Sequence, residues 1–186
     1  MANKKKLIVL IGGPGVGKGT FAKMLMGMHS YNYIGVGALL RALPSDSNIH
    51  KIISDGNLVP DDVLFKLLMA NLKDDTDILL DGFPRRLSQA KWLVENYADK
   101  FDIHILNFVV PTETLVARIE KRIASGTARA DDRNPDIIRA RLQTFFDATV
   151  PAIEWLRNAK KIKFSDVDVS GNLDNNLSEI MTALEN

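Results

Sequence analysis

The stretch that most constrains this chain is Gly12-Gly-Pro-Gly-Val-Gly-Lys-Gly-Thr20, five glycines in nine residues around one lysine. Leu7-Ile-Val-Leu-Ile11 before it is apolar and partly β-branched and predicts a buried strand; Phe21-Ala-Lys-Met-Leu-Met26 after it predicts a helix. Gly12, Gly17 and Lys18 fit the spacing G-x-x-x-x-G-K-[ST], with Gly19 in the hydroxyl position and Thr20 one residue late. A backbone without Cβ atoms can wrap around a phosphate and turn several N–H donors inward, and the following helix offers its positive end to the same anion. Gly13, Gly15, Val16, Gly17, Lys18, Gly19 and Thr20 are therefore the candidate polyphosphate site. Lys18 would reach the β- and γ-phosphates as a point charge. A glycine-rich turn in an unrelated α/β protein is the competing reading, and the flanking strand and helix speak against it.

Length and charge set the outer bounds. The 186 residues suit one domain spanning 1–186, with room for a small insertion. Lys and Arg number 24 against 23 Asp and Glu, so no global basic field marks a nonspecific nucleic-acid binder, and any anion site must be built locally. With no Cys, disulfides and thiolate zinc sites are excluded. No apolar run approaches the roughly 20 residues of a membrane span, and Met1-Ala-Asn-Lys-Lys-Lys6 leads straight into a core strand. The expectation is a soluble cytoplasmic protein without a membrane or nucleic-acid partner.

Further strands are predicted at Tyr31–Ile34, Ile78–Leu80, Ile103–Val110 and Ile162–Phe164. Between the second and third, residues 35–72 read as short helices: one around Ala38–Arg41, one capped by Ser47 and one opening at Asp61-Asp62. That is more than one crossover needs and reads as an inserted flap. Thr112 reads as the N-cap of a helix running through Leu115, Ile119 and Arg122. A polar loop over 123–135 follows, then a long helical segment from Asp136 towards Lys160 that Pro151 kinks or splits. The terminal helix spans Leu173 to Leu184. Five strands alternating with helices predict an α/β fold: a five-stranded parallel sheet of the phosphate-loop NTPase type, with helices on both faces.

Asp81 stands at the carboxyl end of the third strand, where ligands of open α/β sheets collect. It reads as a magnesium carboxylate acting through coordinated water, with Thr20 as a second donor; the alternative is the N-cap of a helix opening at Gly82-Phe-Pro84. Arg85 lies four residues beyond, and Arg118 and Arg122 share a helix face. Phosphoryl transfer leaves little covalent work to protein groups, so positioned positive charges are its catalysts. An anionic phosphate acceptor needs no general base, and none of His29, His50 and His104 sits in a catalytic context.

The motif set resembles that of nucleoside monophosphate kinases, most closely the short-lid adenylate kinases, over nearly the whole chain. The resemblance rests on the glycine-rich loop, Leu39-Leu-Arg41, Gly56-Asn-Leu-Val-Pro60, Asp81-Gly-Phe-Pro-Arg85 with Gln89-Ala90, Arg118-Ile-Glu-Lys-Arg122, Arg129-Ala-Asp-Asp132 and Arg141-Leu142. It implies a monophosphate-binding flap at about 35–64 and a lid at about 123–135. Magnesium, ATP, AMP and ADP are the implied cofactor and ligands, and a monomer the implied state. By the same resemblance Arg41 and Arg85 hold the AMP phosphate, with Gly82 beside it. Gln89 meets its base, and Val36 and the backbone near Leu58 and Val59 line the other edge. Arg118 stacks on the ATP base. Lys18, Arg85, Arg122, Arg129 and Arg141 surround the transferring group.

Three departures from the family pattern stand out. Val36-Gly37-Ala38 replaces a hydroxyl residue followed by Gly-Asp, removing one contact to the acceptor base and one carboxylate near the metal. Phe21 replaces a polar residue. One extra residue before Arg141 makes Arg139 an alternative for its role. Gln89 offers a donor beside an acceptor, which suits adenine, cytosine and, after an amide flip, uracil. A pyrimidine monophosphate kinase, a phosphate-loop ATPase and a non-enzymatic nucleotide-binding module are the alternatives.

Overall fold

Leu7, Val9 and Ile11 alternate with Ile8 and Leu10, and all five are buried, so this strand has a covered surface on each side. The computed structural model describes residues 4–44, 48–126 and 134–185. In chain order the elements are β1 (Lys5–Gly12), α1 (Lys18–Met28), β2 (Asn32–Gly35), α2 (Val36–Arg41), α3 (Asn48–Ser54), α4 (Asp61–Asn71) and β3 (Ile78–Asp81). They continue with α5 (Leu87–Tyr97), β4 (Phe101–Val109), α6 (Thr112–Ala124), α7 (Pro135–Thr144), α8 (Val150–Arg157), β5 (Lys163–Asp168) and α9 (Leu173–Glu185).

The strands form one parallel sheet in the order β2-β3-β1-β4-β5. Leu7 and Val9 pack with Leu68 of α4, Leu93 of α5 and Leu156 of α8 on one face. On the other face Ile8 and Leu10 pack with Leu25 of α1 and Ile180 of α9. Burying both faces satisfies the near-continuous apolar strands, as parallel sheets require. Register places Leu10 beside Asp81 and Gly35 beside Asp81, so β1, β2 and β3 end together at one edge.

Local details differ from the sequence-based expectations. Thr112 is the first helical residue of α6 rather than its cap; Pro111, extended and with its fixed φ, takes the cap position. Asp81 caps no helix, because α5 begins six residues later at Leu87 with Arg86 before it. The segment expected from Asp136 to Lys160 ends at Arg157 and is interrupted by a π-helical turn over Phe145–Thr149. There the Val150 N–H donates to the Phe145 carbonyl, and this wider turn sits directly before Pro151, which has no N–H to give. Ser47 lies outside the described residues.

Candidate active site

A cavity of about 1180 Å³ opens at the carboxyl ends of β1, β2 and β3. Its wall includes the phosphate-loop residues Gly15 to Thr20 on one side and Val36, Arg41, Leu58, Val59, Gly82, Arg85 and Gln89 on the other, with Asp81, Arg118, Arg122 and Arg141 also facing it. Of the predicted loop positions, Gly13 is absent from the wall: it is buried beneath the loop, where a Cβ would lie 2.7 Å from Leu115 Cδ1. Arg129 lies outside the described residues.

The loop's path depends on left-handed backbone. Gly15 has φ +83°, and a Cβ there would meet the Leu115 carbonyl oxygen at 2.9 Å; Gly17, φ +106°, takes the N-cap position of α1. Lys18 donates from Nζ to the carbonyls of Gly12 (2.7 Å) and Gly13 (3.0 Å), which brings its ammonium back to the loop. Arg118 ties the loop to the strand edge on the far side, donating to Val16 O at 3.1 Å and Val169 O at 2.6 Å.

Across the cavity, two glycines carry two guanidinium groups. A Cβ on Gly37 would lie 3.3 Å from Arg41 Nη1, and one on Gly82 (φ +88°) 3.3 Å from Arg85 Nη2. Arg85 is anchored further by its Nε–H to the Gly82 carbonyl at 2.9 Å. Its own carbonyl accepts from Thr149 Oγ1 at 3.1 Å, so the π-helical turn is aimed at this arginine. Arg141 packs against Gly56 and faces the cavity, whereas Arg139 is exposed and paired with Asp136 at 3.0 Å.

Four groups on the Arg85 side of the cavity were not legible as a site in the sequence. Asp61, seen there only as a first-turn acid of α4, accepts hydrogen bonds from Arg86 Nη1 (3.1 Å), Ser88 Oγ and Gln89 Nε2 (2.8 Å). Burial pushes its carboxyl up, but the bonds from Ser88, Gln89 and Arg86 outweigh that and hold it below the usual range. Arg86 also donates to the carbonyls of Val59 (3.1 Å) and Leu58 (3.2 Å). Tyr33 places its hydroxyl 3.2 Å from Asp81 Oδ2. The tandem Arg85-Arg86 was the available signal, but a partner 25 residues away cannot be read from spacing.

A smaller cavity, about 310 Å³, lies at the opposite, amino end of the strands and mixes His29 and His104 with lysines and carboxylates. Burial and then Lys163 push the His104 imidazole down, favouring its neutral form. Ligands of parallel sheets collect at the carboxyl ends, so the larger cavity is the candidate site. Among the described residues no group of three or more His, Cys, Asp or Glu could hold a metal, and no helix is long and apolar enough to cross a membrane.

Comparison with known proteins agrees with this geometry. The adenylate kinase family model matches residues 10–161. An adenylate kinase of Bacteroides thetaiotaomicron is 32% identical, covering 96% of this chain and 97% of its own length. One of Xanthomonas euvesicatoria is 36% identical, with 95% and 98% covered. Adenylate kinase isoenzyme 1 of Bos taurus is 30% identical, with 98% and 95% covered. With a phosphate loop facing a pair of arginines and full-length similarity to these relatives, the chain belongs to the adenylate kinase family.

Proposed function

We propose that the protein transfers the γ-phosphoryl group of ATP to AMP, reversibly, giving two ADP. The observation that carries this reading is one cavity lined by two separate sets of cations, Lys18 in the phosphate loop after β1 and Arg41 with Arg85 after β2 and β3. An ATPase has no use for the second set. In this reading Gly15 to Thr20 and Arg118 hold ATP. Arg41, Arg85, Gly82, Val36, Gln89 and the backbone at Leu58 and Val59 hold AMP. Lys18, Arg122, Arg141 and Arg129 gather on the transferring group, and no general base is needed because the acceptor oxygen is anionic.

Asp81 and Thr20 both open on the cavity, and so small an oxygen donor set suits Mg2+, which keeps waters and substrate phosphates as most of its ligands. Asp81 would act through water and Thr20 through its hydroxyl; when bound, the ion neutralises charge on the β- and γ-phosphates. The flap at about 35–64 and the lid at about 123–135 close over the pair and exclude water, which would otherwise take the phosphoryl group. A cytoplasmic monomer is the setting that fits this role.

The test is a coupled assay with ATP, Mg2+ and AMP. Two ADP should form for each AMP consumed; ADP formation from ATP at the same rate without AMP would overturn the reading. Higher kcat/KM with CMP or UMP would move it to a pyrimidine acceptor. Arg85→Ala should weaken AMP by about 1.5–3 kcal/mol, the worth of a charge-assisted contact, while ATP affinity stays within about twofold. Calorimetry that finds both nucleotides weakened equally would place Arg85 outside the acceptor site.

A further inference from the structure

Gln89 is 1% exposed, and its amide is held at both ends. Oε1 accepts from the Arg85 backbone N–H at 2.7 Å, and Nε2 donates to Asp61 Oδ1 at 2.8 Å. An ionised carboxylate only accepts and a backbone N–H only donates. Flipping the amide would set oxygen against oxygen and N–H against N–H in a buried place, losing both bonds. Asp61 is itself fixed, by Ser88 Oγ on its second oxygen and by Arg86, which is tied in turn to the carbonyls of Leu58 and Val59.

We propose that Asp61 is a specificity-determining positioning residue: together with the Arg85 N–H it locks the Gln89 amide in one orientation and so fixes the donor–acceptor order the acceptor base meets. This rests on the reading of Gln89 as the group that meets that base. One N–H and one oxygen lone pair of the amide remain for a ligand, in an order that cannot be reversed. For a base held with its ring nitrogen against Nε2 and its exocyclic group against Oε1, that order pairs with an exocyclic amine beside an unprotonated ring nitrogen, the pattern of adenine and cytosine. Hypoxanthine, guanine and uracil present a carbonyl beside a ring N–H, the reverse pattern. The lock thus removes the flip by which a free glutamine would serve both, and Asp61 supplies half of it. Pocket size cannot make this distinction, since adenine and hypoxanthine have nearly the same outline.

The experiment compares AMP with IMP as acceptors for the full chain at saturating ATP and Mg2+. The wild type should favour AMP by about a hundredfold in kcat/KM, because a site built to hydrogen-bond one pattern is left unpaired by the other. In Asp61→Asn the new amide can face either end of Gln89, and the AMP/IMP ratio should fall about tenfold through the two acceptor KM values, with the KM for ATP unchanged. Asp62→Asn removes the same charge one residue on, at an exposed position, and should keep the wild-type ratio. If Asp61→Asn lowers turnover of AMP and IMP in parallel, with the ratio intact, Asp61 is merely structural and the proposal is overturned. A wild-type preference below about tenfold overturns it as well, even if Asp61→Asn does not fold. Failure of AMP to act as an acceptor at all is a separate result, which removes the phosphotransfer reading and the proposal with it.

Discussion

Lys18→Ala is expected to lower kcat for ADP formation by at least about a thousandfold, the scale seen when a preorganised charge on a transition state is removed. Its ammonium sits at the loop, 2.7 Å from Gly12 O and 3.0 Å from Gly13 O, at the end of the cavity that would take the polyphosphate. Nothing in its packing makes it important to the core: Lys18 is the first residue of α1 and only half-buried. Stability should change by no more than about 1 kcal/mol, as for substitutions outside packed or strained positions. Chemical denaturation together with turnover separates the two effects, and near-normal turnover would remove the phosphate-loop assignment.

The second large effect is expected at Gly15. A Cβ there would lie 2.8 Å from Ile119 Cγ1 and 2.9 Å from the Leu115 carbonyl oxygen, on a residue whose φ is +83°. The Ile119 side chain can give way, but the helical carbonyl cannot, and the positive φ adds a strain on the order of 1–3 kcal/mol. Gly15→Ala should therefore push the loop off its path and weaken ATP at least tenfold, about 1.4 kcal/mol. Gly19→Ala is the internal comparison, because a Cβ there meets nothing within 4 Å. Equal ATP affinities for the two variants by calorimetry would show that the loop's shape does not depend on Gly15.

The core was legible in the sequence because its signal is local. Leu7–Ile11, Ile78–Leu80 and Ile103–Phe108 are runs whose burial needs no knowledge of the partner, and all of them lie in the sheet, whereas Val109 at the end of the predicted Ile103–Val110 strand is exposed and Val110 lies beyond β4. The ends of helices were less legible. Thr112 has the chemistry of a cap, but the neighbouring Pro111 occupies that position, and Pro151 is accommodated by a widened turn before it rather than by a break at it. Within the site, the loop and Asp81 could be placed from a contiguous motif. Asp61, Arg86 and Ser88 could not, because their contacts join the start of α4 to the start of α5 across a strand and a helix. Each looks in sequence like an ordinary surface charge or hydroxyl. Gln89 is the intermediate case: its place on the cavity wall followed from the motif, whereas its bonds to Asp61 and Arg85 depend on tertiary structure.

In the proposed reaction one cavity holds a nucleoside triphosphate and a nucleoside monophosphate face to face. This arrangement is tested most directly by a bisubstrate analogue, two adenosines joined by five phosphates, titrated into the full chain by calorimetry and used as an inhibitor. One analogue should bind per chain, inhibit competitively with both ATP and AMP, and lose affinity in both Lys18→Ala and Arg85→Ala, since both residues line the one cavity. An analogue that competes with ATP alone, and whose affinity is indifferent to Arg85→Ala, would contradict it.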